Sequence, residues 1–212
     1  MMKNTITCLG LLPLLVAGLS YADTNANLKV SGEIKPPTCF INNQNEVDIV
    51  YNYTISPEML NRSEKTPLDK QKKRIEIVCD ATTYLSFEAK DNRIDSVSSE
   101  QGHILFGLGT YGTDNKENIG AYTITMSNAT VKANSEEADK NVLISTGNTV
   151  KSEISVEQSK KIAWAETSTK LAPGKIFAAD FEVYAVLNII RTDDIEDISL
   201  DGSATLSFGF GI

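Results

Sequence analysis

The sequence predicts an all-β sandwich, and three observations carry that prediction. Apolar residues recur with a two-residue period in many short segments. Polar, turn-forming stretches separate those segments, and no stretch shows a sustained helical period. Two segments are stronger than the rest: Phe181 to Ile190, and the closing run Ala204 to Ile212. In the first, Phe181, Val183, Ala185, Leu187 and Ile189 share a face, and Val186 and Ile190 make the other face partly apolar, as a central strand requires. In the second, Ala204, Leu206, Phe208, Phe210 and Ile212 alternate with small or polar residues. A strand that apolar must have its face covered, by its own domain or by another chain.

The chain opens on Met1-Met2-Lys3, an apolar run from Leu9 to Leu19, and Ser20-Tyr21-Ala22. One positive charge, a short apolar core and small residues at the end are the pattern of a secretory signal peptide over residues 1–22, with cleavage expected after Ala22. The run is too short to span a bilayer, which takes about 20 apolar residues. Cys8 precedes the apolar run and is removed with it. The mature length suits one domain with a sizeable core. The net charge is −8, and loss of Lys3 makes the mature chain more acidic still. Nucleic acid and anionic membrane surfaces are therefore not expected partners.

Cys39 and Cys79 remain after processing. An even number of cysteines in an exported chain reads as a disulfide. Closing a loop of about 40 residues restricts the unfolded chain by roughly 4 kcal/mol on the chain-entropy account. Metal binding would want more ligands, and His103 is the single histidine. A redox pair would more typically be Cys-x-x-Cys.

In order, the mature chain begins with a polar stretch, Asp23 to Asn27. Leu28, Val30, Gly32 and Ile34 then alternate with Lys29, Ser31, Glu33 and Lys35. Pro36-Pro37 interrupts pairing before Thr38 to Ile41. Asn42 to Glu46 is a turn by composition. Val47 to Ile55, rich in Val, Ile and Tyr, reads as a strand. Ser56 to Lys73 reads as an exposed loop with room for a short helix near Pro57 to Asn61. Arg74 to Cys79 and Tyr84 to Ala89 read as two strands, followed by a turn at Lys90 to Arg93. Ile104 to Phe106 and Tyr122 to Met126 flank a glycine-rich loop. Ala129 to Ala133, Val142 to Thr146, Glu153 to Glu157 and Lys161 to Ala165 are weaker strands. Arg191 to Asp201 is an acidic turn region.

Catalytic signatures are poor. Gly107-Leu108-Gly109-Thr110-Tyr111-Gly112 matches Gly-x-Gly-x-x-Gly, but a dinucleotide site needs that loop to open a helix. Here the next residues are turn-like, so glycines that tighten a β loop are the better account. No Gly-x-Ser-x-Gly elbow is present. The acid pairs Asp193-Asp194 and Glu136-Glu137 lie in polar linkers and read as solvated charge. Trp164, in Ile162-Ala163-Trp164-Ala165, reads as core. No cofactor, metal or enzymatic activity is expected.

The segment Val30-Ser31-Gly32-Glu33-Ile34, followed four residues on by Cys39, resembles the start of a chaperone–usher pilin, with Cys79 at the spacing of the paired cysteine. Pro36-Pro37-Thr38-Cys39, Cys79-Asp80-Ala81-Thr82, Lys90-Asp91-Asn92-Arg93, Phe106-Gly107-Leu108-Gly109, Ile119-Gly120-Ala121 and Leu200 to Leu206 are similar, in order and spacing, to a less-characterised branch of exported pilin-like proteins from enterobacterial fimbrial operons. The resemblance implies an immunoglobulin-like sandwich lacking its last strand, completed by a strand from another chain. It divides the mature chain into an N-terminal donor arm, residues 23–35, and a sandwich domain, residues 36–212. Leu28, Val30, Gly32 and Ile34 would be the donor face. Ala204, Leu206, Phe208, Phe210 and Ile212 would line the acceptor groove. The implied partners are a periplasmic pilus chaperone, an outer-membrane usher and neighbouring pilin subunits. The implied location is the periplasm in transit and then a fimbrium on the cell surface. This chain departs from the pattern in placing Gly211, not an aromatic residue, next to last. The rival expectation is a stand-alone exported sandwich that binds a carbohydrate or protein ligand.

Overall fold

The structure is a computed structural model that describes residues 26–97, 103–112, 117–190 and 198–210. The expected signal peptide, Asp193-Asp194 and Ile212 lie outside the described residues. The chain divides into two units, residues 1–34 and 35–212. In the first, residues 26–34 form no helix or strand.

The second unit is all-β. Its strands are β1 (Cys39–Ile41), β2 (Thr66–Pro67), β3 (Gln71–Asp91), β4 (Phe106–Gly107), β5 (Thr110–Tyr111), β6 (Glu117–Asn118), β7 (Gly120–Lys132) and β8 (Lys140–Asn141). There follow β9 (Leu143–Ser145), β10 (Val150–Lys151), β11 (Glu153–Ser155), β12 (Ile162–Thr167), β13 (Lys170–Leu171), β14 (Pro173–Leu187) and β15 (Ala204–Phe210). Every ladder between them is antiparallel.

Strand β3 belongs to both layers. Its first half pairs with β1 and β14, and β14 continues to β7 and β11. Its second half pairs with β15 and β12, and β12 continues to β9 and β10. The sheet therefore curls round a single core, in the manner of a β-sandwich. The two expected strands at 74–79 and 84–89 are one strand. Polar Asp80 to Thr82 interrupts its hydrophobicity but not its phase, since Ile75, Ile77, Cys79, Leu85, Phe87 and Ala89 are all buried.

The layers meet through aromatic side chains. Phe87 of β3 lies edge-on to Trp164 of β12 and to Phe181 of β14, at 6.2 and 5.7 Å between centroids. Trp164 also meets Phe177 edge-on at 5.8 Å. Trp164 is fully buried, and its indole nitrogen donates to the Ala178 carbonyl at 3.1 Å. That bond removes the cost of burying the one polar atom of the ring, and the core reading of Trp164 holds.

Several expectations are corrected. Ser56 to Lys73 is not a plain loop: Thr66–Pro67 zips onto β14 opposite Leu187 and Val186, and Leu68 N donates to the Ala185 carbonyl. Burial of the Leu68 side chain rewards that pairing. The short helix appears as a 3₁₀ turn at Pro57–Met59. Strand β14 begins at Pro173, earlier than expected, and stops at Leu187. Tyr122 to Met126 and Ala129 to Ala133 merge into β7. The glycine-rich loop leads from β4 into β5, with Gly109 and Gly112 at φ of +89° and +81°. Those conformations favour glycine for steric reasons and make the motif a β turn.

Candidate functional site

Two segments in this unit combine an apolar face with an unsatisfied edge. The first is β15. It pairs with β3 from Ala204 opposite Asp91 to Phe210 opposite Leu85, and no second partner flanks it among the described residues. Ala204, Leu206 and Phe208 are only half-buried, whereas the residues they oppose on β3, Asp91, Ala89 and Phe87, are buried. Phe208 leans on Phe87 at 5.5 Å, and Phe210 is 40% exposed. Ala204, Leu206, Phe208 and Phe210 thus share the apolar side of a sheet edge.

The second segment is residues 47–55. It was expected to be a strand, and its burial has the period of one. Val47, Ile49, Tyr51, Tyr53 and Ile55 are half-buried, and Asp48, Val50, Asn52 and Thr54 are exposed. Yet it joins no ladder among the described residues. Side chains hold it instead. The Tyr51 hydroxyl donates to the Phe181 carbonyl at 2.9 Å, Gln71 donates to the Asn52 carbonyl at 2.6 Å, and the Lys73 ammonium sits 5.6 Å from the Tyr51 ring centroid. The Tyr53 hydroxyl is buried with no hydrogen-bond partner among the described residues. Phe181 touches Tyr51 through its carbonyl and Phe87 through its ring, and Phe87 in turn touches Phe208. Both segments therefore reach the same part of the core. Backbone groups without ladder partners beside half-covered apolar side chains are what a pairing strand needs. Sequence reasoning did not assign 47–55 to the site, although the alternation of its aromatic and β-branched residues was the available signal.

Burial pushes the Tyr51 phenol up to about 12, and the nearby Tyr53 phenol adds to the effect. The shift has a definite sign. An unfolded tyrosine ionises near 10.0, so stability from the neutral phenol is complete below that pH and is lost as pH rises through about 12. Tyr51→Phe should therefore flatten the fall in stability between those two values, measured by urea titration with tyrosinate absorbance in parallel. An unchanged slope would rule out Tyr51 as a source.

Residues 26–34, described by themselves, carry Leu28, Val30 and Ile34 at 96%, 101% and 103% exposure. A Cβ added at Gly32 would meet nothing within 4 Å. Three large aliphatic side chains wholly in solvent within seven residues are not what a finished surface shows.

Cys39 and Cys79 lie directly opposite in the β1–β3 ladder and form a disulfide with a Cα–Cα distance of 4.0 Å. It clamps the three residues of β1, one turn ahead of the 47–55 segment, to the wall of the core.

Four of the motifs that carry the resemblance, at 90–93, 106–109, 119–121 and 200–206, converge at one end of the sandwich. The Asp91 carboxylate is buried and accepts from Arg93 N at 2.8 Å and Gly107 N at 2.9 Å. Arg93 makes a forked contact to one Asp201 oxygen, 2.7 Å from Nε and 2.6 Å from Nη2. Asn92 N donates to the Ser203 carbonyl at 2.9 Å, and the Asn92 amide group reaches Ser203 Oγ and Thr205 Oγ1 at 2.9 and 3.0 Å. Asp201 N donates to the Leu108 carbonyl, and Leu108 N to that of Gly120. This is a fastening of loops, with β15 emerging from it.

Several acidic residues elsewhere are engaged in ion pairs or brace loops. Glu166 bridges Lys140 and Lys170 at 2.7 and 2.5 Å, which holds its carboxyl down at about 2. Glu182 meets Lys70 at 2.8 Å, and Asp180 meets Arg74 at 3.1 Å. Glu137 accepts from Asn134 and Ala133 and braces its own loop. Among the described residues no three His, Cys, Asp or Glu side chains are grouped to hold a metal ion. No protein-family model matches the chain, and no curated protein matches it.

Proposed function

We propose that the chain is a structural subunit of a surface fimbria, assembled by donor-strand exchange along the chaperone–usher pathway and supporting adhesion. In this reading the sandwich is immunoglobulin-like and of the pilin type. Segment 47–55 and β15 are the two lips of one acceptor slot. A periplasmic chaperone fills the slot first, and at the outer-membrane usher the arm of a neighbouring subunit replaces it. Leu28, Val30, Gly32 and Ile34 of one copy enter the slot of the next, and the chain passes from the periplasm to the cell surface. The observation that carries the reading is the pairing of an incomplete edge with a solvent-exposed alternating arm in one chain.

The test uses the chain from Asp23 to Ile212 and a synthetic peptide spanning Asp23 to Lys35. At a peptide concentration about 100-fold above Kd, mass action should raise the melting temperature by roughly 5–10 °C. A peptide with Val30 and Ile34 replaced by Asp should do nothing. An unmoved melting temperature, together with a stable soluble monomer after deletion of Asp23 to Ile34, would defeat the proposal.

A cleft of about 470 Å³ favours the rival reading of a stand-alone binding sandwich. Tyr122, Tyr184, Asn118, Asn188 and Lys65 help line it, a mixture of rings and amides suited to a saccharide. Glycan binding that survives deletion of the arm and is lost in Tyr184→Ala would select that reading.

A further inference from the structure

We propose that Asn92, Arg93 and Asp201 are positioning residues that set the register of β15, so that the open edge is displayed in one fixed frame before any partner arrives. The inference rests on the strand-exchange reading for its purpose, but its geometry stands independently.

The need for such a device follows from the strand itself. Ala204, Leu206, Phe208 and Phe210 are interchangeable in kind, and they oppose Asp91, Ala89, Phe87 and Leu85 of β3. A slip of one residue would turn the apolar face outward and is forbidden by burial. A slip of two keeps every apolar residue on the same side. Half-burial of Leu206 and Phe208 penalises that slip weakly. The second long edge of β15 has no ladder among the described residues to add a constraint. An incoming strand reads side-chain pockets at alternate positions, so a slip of two would present the wrong pocket at each.

The fastening at the start of β15 forbids the slip. A shift of two residues displaces the chain by about 7 Å. That separates Ser203 from the main-chain N–H of Asn92, Thr205 from its side-chain amide, and Asp201 from Arg93. The other side of the fastening does not move with it. The buried Asp91 carboxylate ties the Asn92-Arg93 turn to Gly107 N, and Ser96 Oγ donates to the Arg93 carbonyl at 2.8 Å. Asp201 is held independently, through its own N–H to the Leu108 carbonyl. Arg93 and Asp201 are 37% and 63% exposed, so their pairing adds little to global stability. Geometric selection is what the arrangement supplies.

Thiol cross-linking reads the register directly. Ser207 opposes Glu88 in the native frame, and a two-residue slip that carries Phe208 from Phe87 to Ala89 brings Gly209 opposite Glu88 instead. Cysteines are placed at 88 and 207, or at 88 and 209, with Cys39–Cys79 intact, and a short thiol cross-linker is applied. With the fastening present, only the 88–207 pair should react efficiently. In the triple variant N92A, R93A, D201A, the 88–209 pair should become reactive, with Trp164 fluorescence reporting that the core is unchanged. Should the triple variant fold poorly, Asn92→Ala alone is assayed in the same way, with partial gain of the 88–209 product expected. Exclusive 88–207 reaction in folded variants would overturn the proposal. Binding of the Asp23–Lys35 peptide is measured on the same samples. If the intact protein fails to bind peptide, the strand-exchange reading fails while the cross-linking result still decides the register.

Discussion

Replacing Gly120 with alanine is expected to destabilise the fold by about 3–5 kcal/mol. A Cβ at this position would lie 2.3 Å from the Val186 carbonyl oxygen and 2.9 Å from Leu187 Cα. Both are main-chain atoms of β14, in the longest ladder that β7 makes, so no side-chain rotation relieves the clash. Separation of the strands there would also strain the Leu108 N–H bond to the Gly120 carbonyl and the Asn188 bonds to Ile119 and Asn118. Gly32→Ala is the matched control, because nothing lies within 4 Å of its added carbon. Urea denaturation measures both. The midpoint should fall steeply for Gly120→Ala and stay put for Gly32→Ala, with an unchanged m-value showing that the native and unfolded states are otherwise alike. A midpoint within error of the parent for Gly120→Ala would mean that β7 and β14 do not approach as described.

The same glycine shows what the sequence could and could not convey. Ile119-Gly120-Ala121 was readable as a motif, and its neighbours as strand, but the need for glycine lies in a carbonyl of β14 more than sixty residues later. Strand character was legible wherever burial imposes a period of two, as in Phe181 to Leu187 and Ile75 to Cys79. Boundaries were less so. Asp80 to Thr82 read as a break because polarity is a local signal, while the continuity of β3 comes from its ladders to partners distant in sequence. β2 was missed for a related reason: its two residues carry no period, and the ladder follows from Leu68 entering the core. The faces of 47–55 and 204–210, and separately that of 28–34, could all be read from alternation. Which of them lack a ladder could not, since alternation records a buried face and says nothing about an edge. Tyr51 illustrates the limit. Its place on the half-buried face was implied by Val47, Ile49 and Tyr53, but its bond to the Phe181 carbonyl was not.

Removal of the disulfide, by Cys39→Ala with Cys79→Ala, is expected to cost about 4 kcal/mol. The sequence separation is 40 residues, and the released entropy belongs to the unfolded chain, so the m-value should rise as that state expands. The native state also changes locally. β1 has only three ladder positions, Cys39, Phe40 and Ile41 opposite Cys79, Val78 and Ile77. Two further bonds, Asp80 N to the Thr38 carbonyl and Asn42 N to that of Glu76, flank them. So short a strand with a 40%-exposed Phe40 gains little from burial alone. Without the sulfur bridge, amide exchange should quicken first at Ile41 and Asn42, while β7 and β14 exchange through global unfolding only. The consequence for binding separates the clamp from mere stability. β1 leads through the turn at 42–46 into 47–55, which no ladder holds among the described residues. On the strand-exchange proposal, peptide capture should therefore fall in the double variant even at temperatures where circular dichroism shows it fully folded. If capture instead tracks the folded fraction alone, the disulfide stabilises the sandwich without shaping its edge.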